Sequence, residues 1–145
     1  MVGCVSMFTS GWKTQFKTVE VKHFTQVDGL GLSQDFVNSF YDGLREYAPK
    51  AKIAEQVVDE GATVSDADAA NSAVIEGKFT GYNKGGFLSS GIVDMEIKLY
   101  RRSDHTLIKT ITSRGAFKAS PFNTDKNVGG FVGGNAAFEI GKALN

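Results

Sequence analysis

Two histidines, one cysteine and 16 carboxylates are the groups from which acid–base, nucleophilic or metal chemistry would have to be built in this chain of 145 residues. His23 closes an alternating run beside Val19 and Val21, a parity that reads as a hydrogen-bonded core or edge histidine rather than a catalytic base. His105 lies in the polar turn Arg102-Ser103-Asp104-His105 and reads as solvated. Asp94 and Glu96 share a face with Lys98; paired carboxylates can serve as acid and base, but no nucleophile or oxyanion donor is placed near them. The wet side of a sheet explains that spacing as well. Gly29-Leu30-Gly31, between a strand and a helix and followed by Asp59 after the next strand, has the outline of a phosphate-binding loop. Gln34 stands where the third glycine belongs, and the strand before the turn alternates instead of being continuously apolar. A glycine turn serving a crossover is the simpler reading, with a nucleotide or small-molecule binder, even an enzyme, as the rival function. A lone cysteine excludes an internal disulfide, and with two histidines it offers no metal-ligand set, so no cofactor is expected.

That cysteine has a different chemistry available. Val2-Gly3-Cys4 places small residues directly before a thiol, as at the end of a lipoprotein signal peptide, where the peptidase cleft needs small side chains and the thiol receives diacylglycerol. The expectation is lipid attachment at Cys4, with the basic and apolar stretches of the leader upstream of Met1; the alternative is an incidental cysteine. Two or more acyl chains suffice for stable anchoring.

The elements that position these groups follow from periodicity. Residues 1–15 carry no sustained period and read as a leader or linker, leaving a single α/β domain over 16–145. Phe16 to Phe24 alternates as a half-buried strand, with Val19 and Val21 on one face and Thr18, Glu20 and Lys22 on the other. Ser33 caps a helix whose apolar side is Phe36, Phe40, Leu44 and Tyr47; Pro49 ends it, because Ala48 before a proline avoids helical angles. Ile53–Val58 is a second strand, and Ser65–Asn71 holds a short helical turn. Three strands then form an antiparallel meander: Ser72–Tyr82, with Ala73, Ile75, Gly77, Phe79 and Gly81 on one face, a strand with Val93, Met95, Ile97 and Leu99 inward, and Thr106–Lys118. The order is β-α-β-β-β-β-α in an α/β (α+β) domain, a mixed five-stranded sheet with a C-terminal Gly/Ala-rich helix packed on it; the first two strands are parallel through a crossover.

In that last helix Gly129, Gly133, Ala137 and Gly141 recur every four residues and make a smooth stripe for close approach. The stripe either packs on a sheet face offering Gly77, Gly81 and Phe79, or makes a self-association surface. Phe87 and Leu88, at the tip of a Gly- and Ser-rich loop, either fold back on the core or meet a partner, and Phe122 is a weaker case of the same kind.

The succession Val74-Ile75-Glu76-Gly77, a glycine-rich loop, Ser90-Gly91 with its alternating strand, the polar turn before Thr106-Leu107-Ile108 and the Gly/Ala-rich helix resembles a family of uncharacterised bacterial lipoproteins over residues 16 to 144. That family is similar in architecture to the periplasmic domain of the curli secretion channel subunit and to the outer-membrane lipoprotein activator of penicillin-binding proteins. The resemblance implies a mixed sheet, a periplasm-facing location and a protein-interaction role, and Val5 after the cysteine implies sorting to the outer membrane. Composition agrees with a binding role: 16 basic residues balance 16 acidic ones, which argues against a nucleic-acid partner, and no run of about 18 apolar residues spans a bilayer. The expected function is therefore a non-enzymatic, lipid-anchored envelope domain with a protein partner, membrane-bound through its anchor only, and able to form homo-oligomers.

Overall fold

A computed structural model describes residues 9–85, 90–118 and 124–145. Its strands are β1 (Phe16–Val21), β2 (Thr25–Gln26), β3 (Ala54–Val58), β4 (Ala73–Asn83), β5 (Gly91–Arg101) and β6 (Leu107–Phe117); its helices are α1 (Gln34–Tyr47), α2 (Asp66–Ala69) and α3 (Asp125–Leu144). The sheet runs in the order β3-β1-β4-β5-β6, with β2 beside β4. β1 is parallel to β3 and β4, and β4-β5-β6 is the expected antiparallel meander. The expected α+β class, with a mixed sheet and a C-terminal helix packed on it, is what the chain adopts; the two-residue β2 adds a strand too short to leave a period in the sequence.

The clearest alternation holds to the residue. Val93, Met95, Ile97 and Leu99 of β5 are each at most 1% exposed, as side chains on one face of a pleated strand must be when that face meets the helices. β4 departs from its expected parity at a bulge between Phe79 and Gly81. The extra residue turns Gly81 to the other face, where it lies against the Asp94 side chain.

β1 departs as well. Thr18 and Glu20, expected on a wet face, are 6% and 5% exposed, because β1 is an inner strand and the segment from residue 59 to 72 lies over its second face. Each polar group there is paired. Thr18 donates to Ser72 Oγ at 2.7 Å, while Glu20 accepts from the Arg102 guanidinium at 2.6 Å and from the Gly61 N–H at 3.0 Å. Arg102 also donates to the Ala62 carbonyl, so one buried ion pair fixes the loop to the sheet.

Ser33 caps α1 as its type and position require, accepting from the Phe36 N–H at 3.1 Å. The other end corrects the expectation at Pro49. Ala48 keeps helical angles (φ −56°, ψ −46°), and the turn away comes at Lys52, whose φ is +62°. Ile53 N–H donates to the Ala48 carbonyl and Lys52 N–H to the Pro49 carbonyl, the two bonds of a Schellman closure. Helix geometry is thus carried past the proline, and a left-handed residue ends it.

Between α1 and the sheet stands an aromatic cluster: the Phe40 and Phe79 rings are 5.0 Å apart, and Phe24 lies 5.3 Å from Phe79. Tyr41 closes its edge by accepting from the Phe24 N–H, and burial pushes its phenol above the usual range, which keeps it a neutral hydroxyl. Gly77 faces the Phe24 ring, so the room on the sheet that the small-residue stripe was expected to use is already filled.

The stripe meets α1 instead. A methyl group at Gly129 would overlap the Phe36 carbonyl oxygen, one at Gly133 the Phe40 carbonyl oxygen, and one at Gly141 the Ala51 carbonyl oxygen. Gly43 returns the contact from α1, against the Gly130 carbonyl. The two helices run in the same direction with backbone on backbone, and Val132 of α3 packs over Gly115 of β6. Pairing the stripe with Gly77 and Gly81 is therefore corrected: the neighbour it needs is a helix, because backbone rather than side chains fills its contact.

Candidate functional site

Close approach of two helices along one line leaves their outward side chains splayed on either side. On the flank away from the sheet this opens a groove of about 950 Å³ between α1 and α3. Its apolar lining is aromatic: Tyr47 from α1, Phe131 and Phe138 from α3, and Trp12 from the N-terminal segment. The Tyr47 and Phe138 rings are 5.8 Å apart, and Gly134 beneath them would bring a methyl within 3.0 Å of the Tyr47 ring. Trp12 is held at the far end against Gly141, where Lys13 N–H and the Gln15 side-chain amide both donate to Asn145 Oδ1. Phe131 is 57% exposed, and with Leu107 it is one of two large hydrophobic residues that stand open among the described residues. It separates the groove from a smaller hollow of about 320 Å³ beside Phe117 at the end of β6.

The rim carries both signs of charge. Asp42 and Glu46 line it from α1, and Lys126, Glu139 and Lys142 from α3. Lys50 lies 4.8 Å over the Tyr47 ring and 3.7 Å from Glu46, so that corner is ordered from within the chain. A long apolar floor with a mixed rim suits an amphipathic partner surface better than a single charged ligand.

The residues singled out from sequence fall elsewhere. Cys4, Phe87, Leu88 and Phe122 lie outside the described residues. Gly129, Gly133, Ala137 and Gly141 lie on the inner side of α3, one wall of the groove, and none of them lines it. His23 is not on the apolar face of β1, which ends at Val21; its side chain is 71% exposed and its Nδ1 meets Glu60 at 2.6 Å. His105, with φ +54°, stacks on Tyr100 at 4.1 Å and stands 3.3 Å from Glu76. Asp94 is bound by Arg114 at 2.6 Å, and Glu96 lies near Lys98. Asp94 and Arg114 thus pair across β5 and β6, Glu96 and Lys98 along β5, His105 ties its turn to β4, and His23 and Glu60 join two connecting segments. No group of three or more His, Cys, Asp or Glu able to hold a metal occurs among the described residues.

The phosphate-loop outline of Gly29 and Gly31 resolves into a turn. Both have φ near +80°, which their lack of a side chain permits. The helix start beyond them is closed: Ser33 Oγ donates to Asp125 at 2.7 Å, and Asp35 sits in the first turn of α1. Two carboxylates at that end repel a phosphate, so this turn is not the anion cradle that its outline suggests.

Glu60 makes one solution property testable. Hydrogen bonds from the His23 ring and then from the His23 backbone N–H hold its carboxyl below the usual range. A carboxyl lowered in the folded state adds stability above its ordinary value of 4.5, and that contribution is lost as pH falls through the folded value. Its side chain is 38% exposed, so solvent screening limits the effect to under about 1 kcal/mol. Glu60→Gln should therefore narrow the stability difference from the wild type on going from neutral pH to below 4.5 in urea titrations. An unchanged difference across that range would contradict the assignment.

The class defined by this geometry is an α+β domain with a mixed open sheet and two long helices packed backbone to backbone on one face. Solved structures of this shape include PelC from Paraburkholderia phytofirmans, crystallised as a dodecamer: 13% identity, TM-score 0.61, covering 89% of this chain and 92% of that one. A DUF330 protein from Xanthomonas campestris is similar at 12% identity and TM-score 0.57, over 93% of this chain and 85% of its own. Lipoprotein GNA1162 from Neisseria meningitidis matches at 13% identity and TM-score 0.45, over 88% and 96% respectively, a likeness too low to carry an argument. No protein-family model matches the chain, and no curated protein matches it in sequence. Neither PelC nor the DUF330 protein is named as an enzyme, and they lend nothing to the comparison with the curli channel domain or the penicillin-binding-protein activator.

Proposed function

We propose that the chain is a lipid-anchored, non-enzymatic protein of the bacterial cell envelope that works by protein–protein contact, with the groove between α1 and α3 as its docking surface. The observation that carries this reading is Phe131, an aromatic ring 57% exposed on a rigid helix beside an aromatic-floored groove. Keeping that much apolar surface in water costs about 25 cal/mol per Å², which a partner's apolar face would recover. Val2-Gly3-Cys4 supports the anchor, whose acyl chains would hold the protein at the membrane. PelC, similar in fold, is a dodecamer in its crystals, an arrangement that supports assembly as a use for this architecture. Val5 favours the outer membrane as the site of attachment.

The test is made on protein expressed with its native upstream region. Labelled palmitate should enter the wild type and not Cys4→Ser, and only the labelled form should sediment with membranes. Detergent-extracted wild type should run as a particle larger than the 15.6 kDa chain with its micelle, whereas Phe131→Asp should remain lipidated and run as the monomer. Absence of label overturns the anchor, and a monomeric wild-type particle overturns the docking surface.

A further inference from the structure

Resting on the reading of Cys4 as the lipid attachment, we propose that the end of the domain carrying Trp12, Lys13, Lys52 and Lys142 lies on the membrane. The three lysines meet anionic lipid headgroups there, and the Trp12 ring sits at the same level. Thr9 already belongs to the fold: it is 6% exposed, and its carbonyl accepts from the Trp12 N–H at 2.9 Å. Only the short stretch from Cys4 to Thr9 links the two, a reach of at most about 18 Å however it runs. α3 has 20 residues and therefore spans about 30 Å, with Trp12 packed against Gly141 near its C-terminal end. The N-terminal ends of α3 and α1, joined by the Ser33–Asp125 hydrogen bond, are thus too far from an acylated Cys4 to rest on the bilayer.

Charge selects among the faces that remain. The far end carries Asp28, Asp35 and Asp125, which an anionic surface repels. The near end gathers lysines from three separate segments. Gln15 N–H donates to the Lys52 carbonyl at 3.1 Å, Lys13 N–H donates to Asn145 Oδ1 at 2.8 Å, and Lys142 follows the Gly141 that Trp12 covers. None of these three makes an ion pair among the described residues, whereas Lys50 beside them is taken by Glu46. Trp12 is half-buried, and its amphipathic ring suits the boundary between headgroups and acyl chains.

Trp12 is the chain's single tryptophan, so its fluorescence reports on this end alone. Acylated protein is placed in vesicles of phosphatidylethanolamine and phosphatidylglycerol brominated high on their acyl chains. Trp12 should lose about half of its emission, because a ring at headgroup depth collides with the bromines. With the reporter moved to the groove, in a protein carrying Trp12→Phe and Phe131→Trp, emission should stay unquenched. Each lysine near an anionic surface favours the docked state about fivefold, so Lys13→Glu with Lys142→Glu should abolish most of the Trp12 quenching. In vesicles of phosphatidylcholine alone that variant and the wild type should agree. Acylated protein with Trp12 unquenched overturns the inference and leaves the anchor standing. Quenching at Phe131 equal to that at Trp12 also overturns it, because the domain then lies on its groove. So does Trp12 quenching that the two lysine changes leave intact. If Cys4 takes up no acyl group, the anchor and the inference fall together.

Discussion

A single methyl group placed at Gly133 should lower the stability of the fold by about 3 kcal/mol, whereas the same change three residues earlier should raise it. In an isolated helix Gly→Ala is favourable by about 1 kcal/mol at either position, from the entropy that glycine loses on folding. The structure separates the two. A Cβ at Gly133 would overlap the Phe40 carbonyl oxygen and lie 2.9 Å from the Leu44 nitrogen, both backbone atoms of α1 that cannot swing aside. At Gly130 the nearest atom to a new Cβ is the Ser39 carbonyl oxygen at 3.8 Å, an ordinary contact. Gly133→Ala should therefore melt roughly 10 °C below the wild type, and Gly130→Ala should stabilise by about 0.5–1 kcal/mol. Gly133→Leu should give no cooperative transition at all. If Gly133→Ala instead melts at or above the wild-type temperature, α1 and α3 do not meet along this line.

The second large effect is expected where the sheet holds its crossover loop. Glu20 and Arg102 have side chains 6% and 16% exposed, their charges 2.6 Å apart. Arg102→Met leaves the Glu20 carboxylate buried beside the Gly61 N–H with no countercharge, and should cost about 3–5 kcal/mol. Glu20→Gln alone leaves the guanidinium with its bond to the Ala62 carbonyl and should cost less. With both changes present no buried charge is left, and the double variant should be more stable than Arg102→Met alone. Urea titrations of the four proteins give the coupling directly, and additive losses would mean that the two charges are solvated independently.

How far these features can be read from the chain depends on whether one segment is enough to specify them. The β5 alternation through Val93, Met95, Ile97 and Leu99 is legible because one face of one strand is buried and the other is not. Ser33 is legible for the same reason: a cap is satisfied within three residues. Thr18 and Glu20 look like wet-face residues because nothing within β1 announces that residues 59 to 72 will cover them. The small-residue stripe on α3 is evident, but whether its neighbour is a sheet or a helix is decided by the Phe24, Phe40 and Phe79 rings, which come from three separate segments of the chain. The groove is hidden by the same logic. Phe131 looks like one more apolar position on a helix that is apolar on more than one side, and only the docking of Gly133 onto Phe40 turns its ring outward. Tyr47 counts as a core residue in the α1 pattern, yet it serves as a wall.

The claim that the helix-pair groove is the working surface can be put to one measurement. A photo-reactive residue is introduced singly at Phe131 or Phe138 in the groove, and at Glu96 or Lys98 on the outer face of the sheet, and native membranes are irradiated. Discrete cross-linked products should form from the two groove positions and none from the two sheet positions. Products from the sheet face with none from the groove would contradict it.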